Sequence, residues 1–163
     1  MRHTLLSFLE MLKAAGMVSE YDLGHCADQE IEYLTYDSRA VVPDTLFICK
    51  GVAFKAQYLE NSIKDGACCY VSEKKYDLSP PYIIVKNIRQ AMPLLAVMFY
   101  NRPAQHLKIT GLTGTKGKST TTYYLKAIID DYMEAVGGKE SAMLSTIDVY
   151  DGVIREASHM TTP

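Results

Sequence analysis

Apolar residues fall at helical spacing from the start of the chain. Leu5, Phe8, Leu9 and Leu12 share one face, with Thr4 as a capping residue before them and Gly16 as a stop after them, so the pattern predicts a first helix. Residues 20–30 are mixed and polar and read as a loop. Ile31 to Tyr36 is rich in β-branched and aromatic residues and reads as a strand running into Asp37-Ser38-Arg39. Pro43-Asp44 marks a turn, and Thr45 to Cys49 is the next strand. Tyr58, Leu59 and Ile63 are spaced for a helix that stops at Asp65-Gly66. Two more strands follow, Ala67 to Ser72 and Tyr82 to Val85, separated by the break Ser79-Pro80-Pro81. Asn87 and Gln90 pair as a helix cap, and the helix runs to about Tyr100 with a kink or late start expected at Pro93.

This alternation predicts an α/β layered domain with a partly parallel sheet. Arg102-Pro103 is the expected boundary, giving a first domain of residues 1–102 and a second of 103–163. In the second, Leu107 to Thr110 reads as a strand. Leu125, Ile128, Ile129 and Tyr132 mark one face of a helix that breaks at Gly137-Gly138. Ala142 to Tyr150 and Val153 to Ala157 flank Asp151-Gly152, a two-residue hairpin signal. An adjacent Tyr123-Tyr124 pair is expected to pack that helix rather than bind a base.

Between the strand-like and helical runs lies Gly111-Leu112-Thr113-Gly114-Thr115-Lys116-Gly117-Lys118-Ser119-Thr120. Strand, glycine-rich turn, Lys-Ser and helix make the layout of a phosphate-binding loop. Glycines let backbone N–H groups turn inward, and the helix N-terminus adds partial positive charge. Lys118 would reach the β/γ-phosphates and the Ser119 hydroxyl would hold Mg²⁺. The loop is a variant, because Leu112 stands where the common pattern has its first glycine.

Composition narrows the rest. The chain has 163 residues, 48% hydrophobic and 22% charged, with a formal net charge of −2. That is ordinary for a globular protein and gives no basic footprint for nucleic acid. No apolar run approaches the roughly 20 residues of a membrane span. Glu10 and Lys13 interrupt the apolar start, which fits helical spacing better than a signal peptide. The four cysteines, Cys26, Cys49, Cys68 and Cys69, lack zinc spacing, and reduced thiols in a cytoplasmic protein are expected. The scattered histidines receive no role.

Three separated features resemble the Mur ligase family, specifically its UDP-N-acetylmuramoyl-tripeptide synthetase (MurE) type. Thr35-Tyr36-Asp37-Ser38-Arg39, with Pro43-Asp44-Thr45-Leu46-Phe47 and Lys50-Gly51, is similar to the family's uridine-binding domain. Gly111 to Thr120 is similar to its phosphate loop, with Lys116 at a position usually held by Asn. Thr161-Thr162-Pro163 is similar to its substrate-contacting Thr-Thr pair. The resemblance implies a Rossmann-like uridine-nucleotide-binding domain followed by a truncated P-loop ATPase domain, the Mur ligase central domain, cut short here. The chain is therefore expected to be the N-terminal portion of a longer enzyme, inactive by itself.

The implied activity is ATP-dependent addition of L-lysine or meso-diaminopimelate to UDP-N-acetylmuramoyl-L-alanyl-D-glutamate, through an acyl phosphate, in peptidoglycan synthesis. ATP and Mg²⁺ are the implied cofactors, and the partners are small-molecule substrates. Lys118 is the implied catalytic residue, Ser119 the metal ligand, and Thr113, Gly114, Thr115, Lys116, Gly117 and Thr120 complete the ATP site. Tyr36, Ser38, Val52, Ala53, Phe54, Thr161 and Thr162 would contact the uridine-muramoyl substrate. Ser38 also reads as a turn cap, and Asp37 with Arg39 as a surface ion pair. A stand-alone nucleotide-sugar-binding module with a vestigial loop, another Mur-type ligase, and an unrelated kinase or NTPase are the alternatives.

Overall fold

The computed structural model describes residues 3–51 and 54–158. It divides into two compact units, Met1–Leu107 and Lys108–Pro163.

In the first unit, β1 (His3–Thr4) leads directly into α1 (Leu5–Ala14). The Thr4 side chain accepts a hydrogen bond from the Ser7 amide, and Leu5, Phe8, Leu9 and Leu12 are buried, as the spacing predicts. At the other end, the Gly16 amide donates to Lys13 O and the Met17 amide to Leu12 O, a paired closure that needs the left-handed backbone Gly16 adopts at φ 67°. Next come β2 (Val18–Asp22), β3 (Glu30–Ile31), β4 (Tyr33–Thr35), β5 (Thr45–Ile48), α2 (Ala56–Lys64), β6 (Ala67–Ser72), β7 (Tyr82–Val85) and α3 (Ile88–Phe99). The main sheet has the order β2-β7-β6-β5-β4; β4 to β7 are mutually parallel and β2 is an antiparallel edge, while β1 pairs with β3.

Both faces of this sheet are covered. Leu46, Ile48, Cys69, Val71, Ile83 and Val85 join α1 and α3 residues in one core. Their alternating neighbours Phe47, Cys49, Tyr70, Tyr82 and Ile84 join Leu59 of α2 in the other. Two buried faces explain why β5, β6 and β7 read as continuous apolar runs. The chain leaves α3 through two left-handed residues, Asn101 (φ 55°) and Arg102 (φ 53°), into a single 3-10 turn, Pro103–Gln105.

Several expectations need correction here. The span read as a loop takes in the last three residues of β2, a strand that is exposed beyond Val18. An edge strand with one wet face shows no apolar signature. Ile31 to Tyr36 divides into β3 and β4, which pair with different partners. Pro93 causes no late start, since α3 begins at Ile88 with the Asn87 side chain accepting from the Gln90 amide.

The second unit holds α4 (Lys118–Ala135), β8 (Met143–Leu144), β9 (Asp148–Tyr150) and β10 (Arg155–Ala157), the strands forming an antiparallel sheet in the order β10-β9-β8. The predicted strand at 107–110 is absent among the described residues: the segment finds no ladder partner and leaves Leu107 and Ile109 63% and 69% exposed. The expected apolar stripe of α4 is also not buried, with Ile128 67% and Tyr132 66% exposed. The buried residue of that helix is Lys126, tied to Asp130, to Ser141 O at 2.8 Å and to the Tyr150 ring at 4.6 Å. The hairpin loop has four residues, not two. Asp151 accepts from the Val153 and Ile154 amides, so Tyr150 pairs with Arg155.

Candidate functional site

The loop from Gly111 to Gly117 is exposed and runs into the first residue of α4, Lys118. Gly114 (φ 156°) and Gly117 (φ 78°) supply the backbone conformations that bend it, and Gly117 is the capping position of the helix. No side chain caps α4. Its first-turn N–H groups are therefore donors toward an anion, reinforced by the helix dipole.

Lys118 folds back over the loop, its Nζ donating to Gly114 O at 2.9 Å. The ammonium thus sits over the loop, where a phosphate oxygen could replace a carbonyl oxygen as acceptor. Ser119 Oγ lies 3.1 Å from Thr146 Oγ1. Thr113, Thr115, Lys116 and Thr120 are exposed around them. Sequence reasoning missed Thr146. It is 27 residues from Ser119, inside the run Ala142 to Tyr150 that carries no motif, and only folding pairs the two.

The other predicted residues that the structure describes belong to the first unit. Tyr36 and Ser38 directly follow β4, while Phe54 comes after β5, so they lie beyond the carboxyl ends of two parallel strands. In open α/β sheets ligands bind at that end. Tyr36 is half-exposed with Lys50 Nζ 4.6 Å from its ring centroid. Arg39 grips Asp37 through two side-chain bonds of 2.9 and 2.7 Å, which hold the Asp37 carboxyl at about 2. The Phe54 ring packs against Phe47, Tyr58 and Tyr76 and is partly buried there. Asp44, in the turn ahead of β5, carries φ 61° and its side chain accepts from Gln29 Nε2 at 2.8 Å. Val52, Ala53, Thr161 and Thr162 lie outside the described residues. An apolar cavity of about 810 Å³ beside α1 and the end of α3, reaching His3, Met11 and Tyr100, contains none of the predicted site residues.

No protein-family model matches the chain. Over 161 residues, 95% of its length, it is 42% identical to the UDP-N-acetylmuramoyl-L-alanyl-D-glutamate–L-lysine ligase of Streptococcus pneumoniae serotype 2 strain D39, of which it covers 32%. The chain is a Mur-ligase homologue. A UDP-N-acetylmuramyl-tripeptide synthetase of Bifidobacterium longum is 38% identical, with 98% of this chain and 32% of the relative covered. The homologue thus spans about a third of the length of the curated relatives it matches. Among solved structures, a UDP-N-acetylmuramoyl-L-alanyl-D-glutamate–2,6-diaminopimelate ligase superposes with a TM-score of 0.68 at 20% identity, covering 100% of this chain and 31% of that one. That likeness shows a shared α/β fold for this Mur-ligase homologue.

Proposed function

We propose that this chain is part of an ATP-dependent acid–amino-acid ligase of peptidoglycan synthesis, acting in the cytoplasm. It would add an amino acid to UDP-N-acetylmuramoyl-L-alanyl-D-glutamate. The observation that carries the reading is the 42% identity, over nearly the whole chain, to a relative named for that reaction. The same name favours L-lysine over meso-diaminopimelate as the added amino acid. In this reading residues 1–102 form the uridine-substrate domain and residues 103–163 the beginning of the ATP-binding domain.

The chain's own groups would work as follows. The α4 amides and Lys118 take the triphosphate, Lys118 exchanging Gly114 O for a phosphate oxygen. Ser119 Oγ, a neutral oxygen donor, suits Mg²⁺ brought in on the nucleotide. Among the described residues no cluster of three or more His, Cys, Asp or Glu could hold a metal. Bound Mg-ATP supplies the phosphoryl group that activates the substrate carboxylate, and the amine then displaces phosphate. Tyr36 and Ser38 would hold the uridine end, with Val52, Ala53 and the backbone at Phe54. Thr161 and Thr162 would orient the peptide arm.

Separate titrations of the 163-residue chain test this. Binding of both Mg-ATP and the UDP-N-acetylmuramoyl dipeptide, without phosphate release, is the expected result. Uridine-nucleotide binding with no response to ATP would instead favour a binding module with a vestigial loop. Mg-ATP turnover with no affinity for the uridine nucleotide would replace the reading with an unrelated NTPase.

A further inference from the structure

Thr146 sits on a turn that is fixed to the helix carrying Ser119. Within the turn, Ser145 Oγ accepts from the Ile147 and Asp148 amides, both at 3.1 Å, and donates to Asp148 O at 2.9 Å. The Asp148 carboxylate then accepts from the Tyr123 hydroxyl and faces Arg155 at 3.6 Å. These hydrogen bonds, Tyr123 first, hold the Asp148 carboxyl below its ordinary range. Tyr123 stands four residues beyond Ser119, on the same face of α4. The turn therefore meets that face twice, at Tyr123 through Asp148 and at Ser119 through Thr146.

A serine hydroxyl that coordinates a cation through oxygen loses electron density and becomes a stronger proton donor. It then needs an acceptor, or its lone pair turns away from the metal. Resting on the phosphate-loop reading above, we propose that Thr146 is a positioning residue of the nucleotide site. Its Oγ1 accepts the Ser119 hydroxyl proton and so directs the Ser119 lone pairs at the divalent cation of a bound nucleoside triphosphate. Thr146 acts through Ser119, and the Tyr123–Asp148–Ser145 linkage holds it in reach.

The test is fluorescence titration of the full chain with N-methylanthraniloyl-ATP, once with Mg²⁺ and once with EDTA. Thr146→Val keeps the shape and removes the acceptor. It is expected to weaken binding in Mg²⁺ about 3- to 10-fold, the scale of one hydrogen bond, and to leave binding in EDTA unchanged. Thr146→Ser is expected to restore the Mg²⁺-dependent gain. Equal losses in both conditions would show a merely structural role and overturn the proposal. So would a Val variant matching wild type in Mg²⁺, or a Ser variant no better than Val. A wild-type chain that binds no nucleotide in either condition overturns the phosphate-loop reading itself, and is thereby distinguished from failure of the Thr146 role alone.

Discussion

Gly117 turns the chain into α4 at φ 78°, with open space where a Cβ would stand. Gly117→Ala therefore tests backbone conformation without a clash. It is expected to cost about 1–2 kcal/mol, the left-handed penalty for an L-residue, and to weaken triphosphate binding measured by titration. Lys118→Met is expected to lower Mg-ATP affinity while leaving the uridine-nucleotide titration unchanged. The cysteines offer a second check at this scale. Burial pushes the Cys49 thiol up to about 12 and Cys68 up to about 11, and raises Cys69 well above its ordinary value. Thiolate is the reactive form, so at neutral pH a disulfide reagent is expected to label Cys49, Cys68 and Cys69 only after denaturation. Rapid labelling of these three in the native chain would contradict the packing around β5 and β6.

The α1 element was legible almost atom by atom, because its cap, stripe and stop are local in sequence. Removing its cap with Thr4→Ala is expected to cost about 1 kcal/mol, and Leu9→Ala about 2–5 kcal/mol, in denaturant unfolding. Parallel strands β5 to β7 were legible for a different reason: burial on both faces leaves an unbroken apolar run. What the sequence hid depends on neighbours. β2 carries Glu20 and Asp22 and is a strand only because β7 offers it an edge. Residues 107–110 have strand composition but no such edge. The apolar face of α4 has the right period, yet its burial needs a surface that the described residues do not provide. The site shows the same division. Lys118 and Ser119 announced themselves through local spacing, whereas Thr146 is joined to Ser119 across 27 residues and left no trace in the pattern. Gly66 marks a place where an element and a loop meet too closely for any side chain. A Cβ there would stand 2.8 Å from Pro43 Cα at φ 113°, so Gly66→Ala is expected to destabilise more than Gly117→Ala.

Across the whole molecule, the two units rest on different physics. The first is held by apolar layers on both faces of a sheet. The second has little buried apolar surface and a polar knot instead: Lys126 bonded to Asp130, and Asp130 accepting both the Ser141 amide and hydroxyl at 2.7 Å. Burial works against the Asp130 charge, but Lys126 and Ser141 outweigh it and hold the carboxyl at about 2, below its ordinary 3.8. A depressed carboxylate stabilises above its unfolded value and loses that contribution as pH falls through its folded one. Acid unfolding of the second unit is thus expected to sharpen between about pH 4 and pH 2, and Asp130→Asn to flatten that dependence while lowering stability at pH 7. Thermal melts across pH would read both. The unpaired stretch ahead of the phosphate loop carries a further consequence. Backbone amides without a ladder trade their hydrogens with solvent almost at the rate of a free peptide. A brief pulse of heavy water should therefore mark residues 108–113 first and β5 to β7 last. Slowing of that exchange would report the arrival of any strand that pairs with the segment.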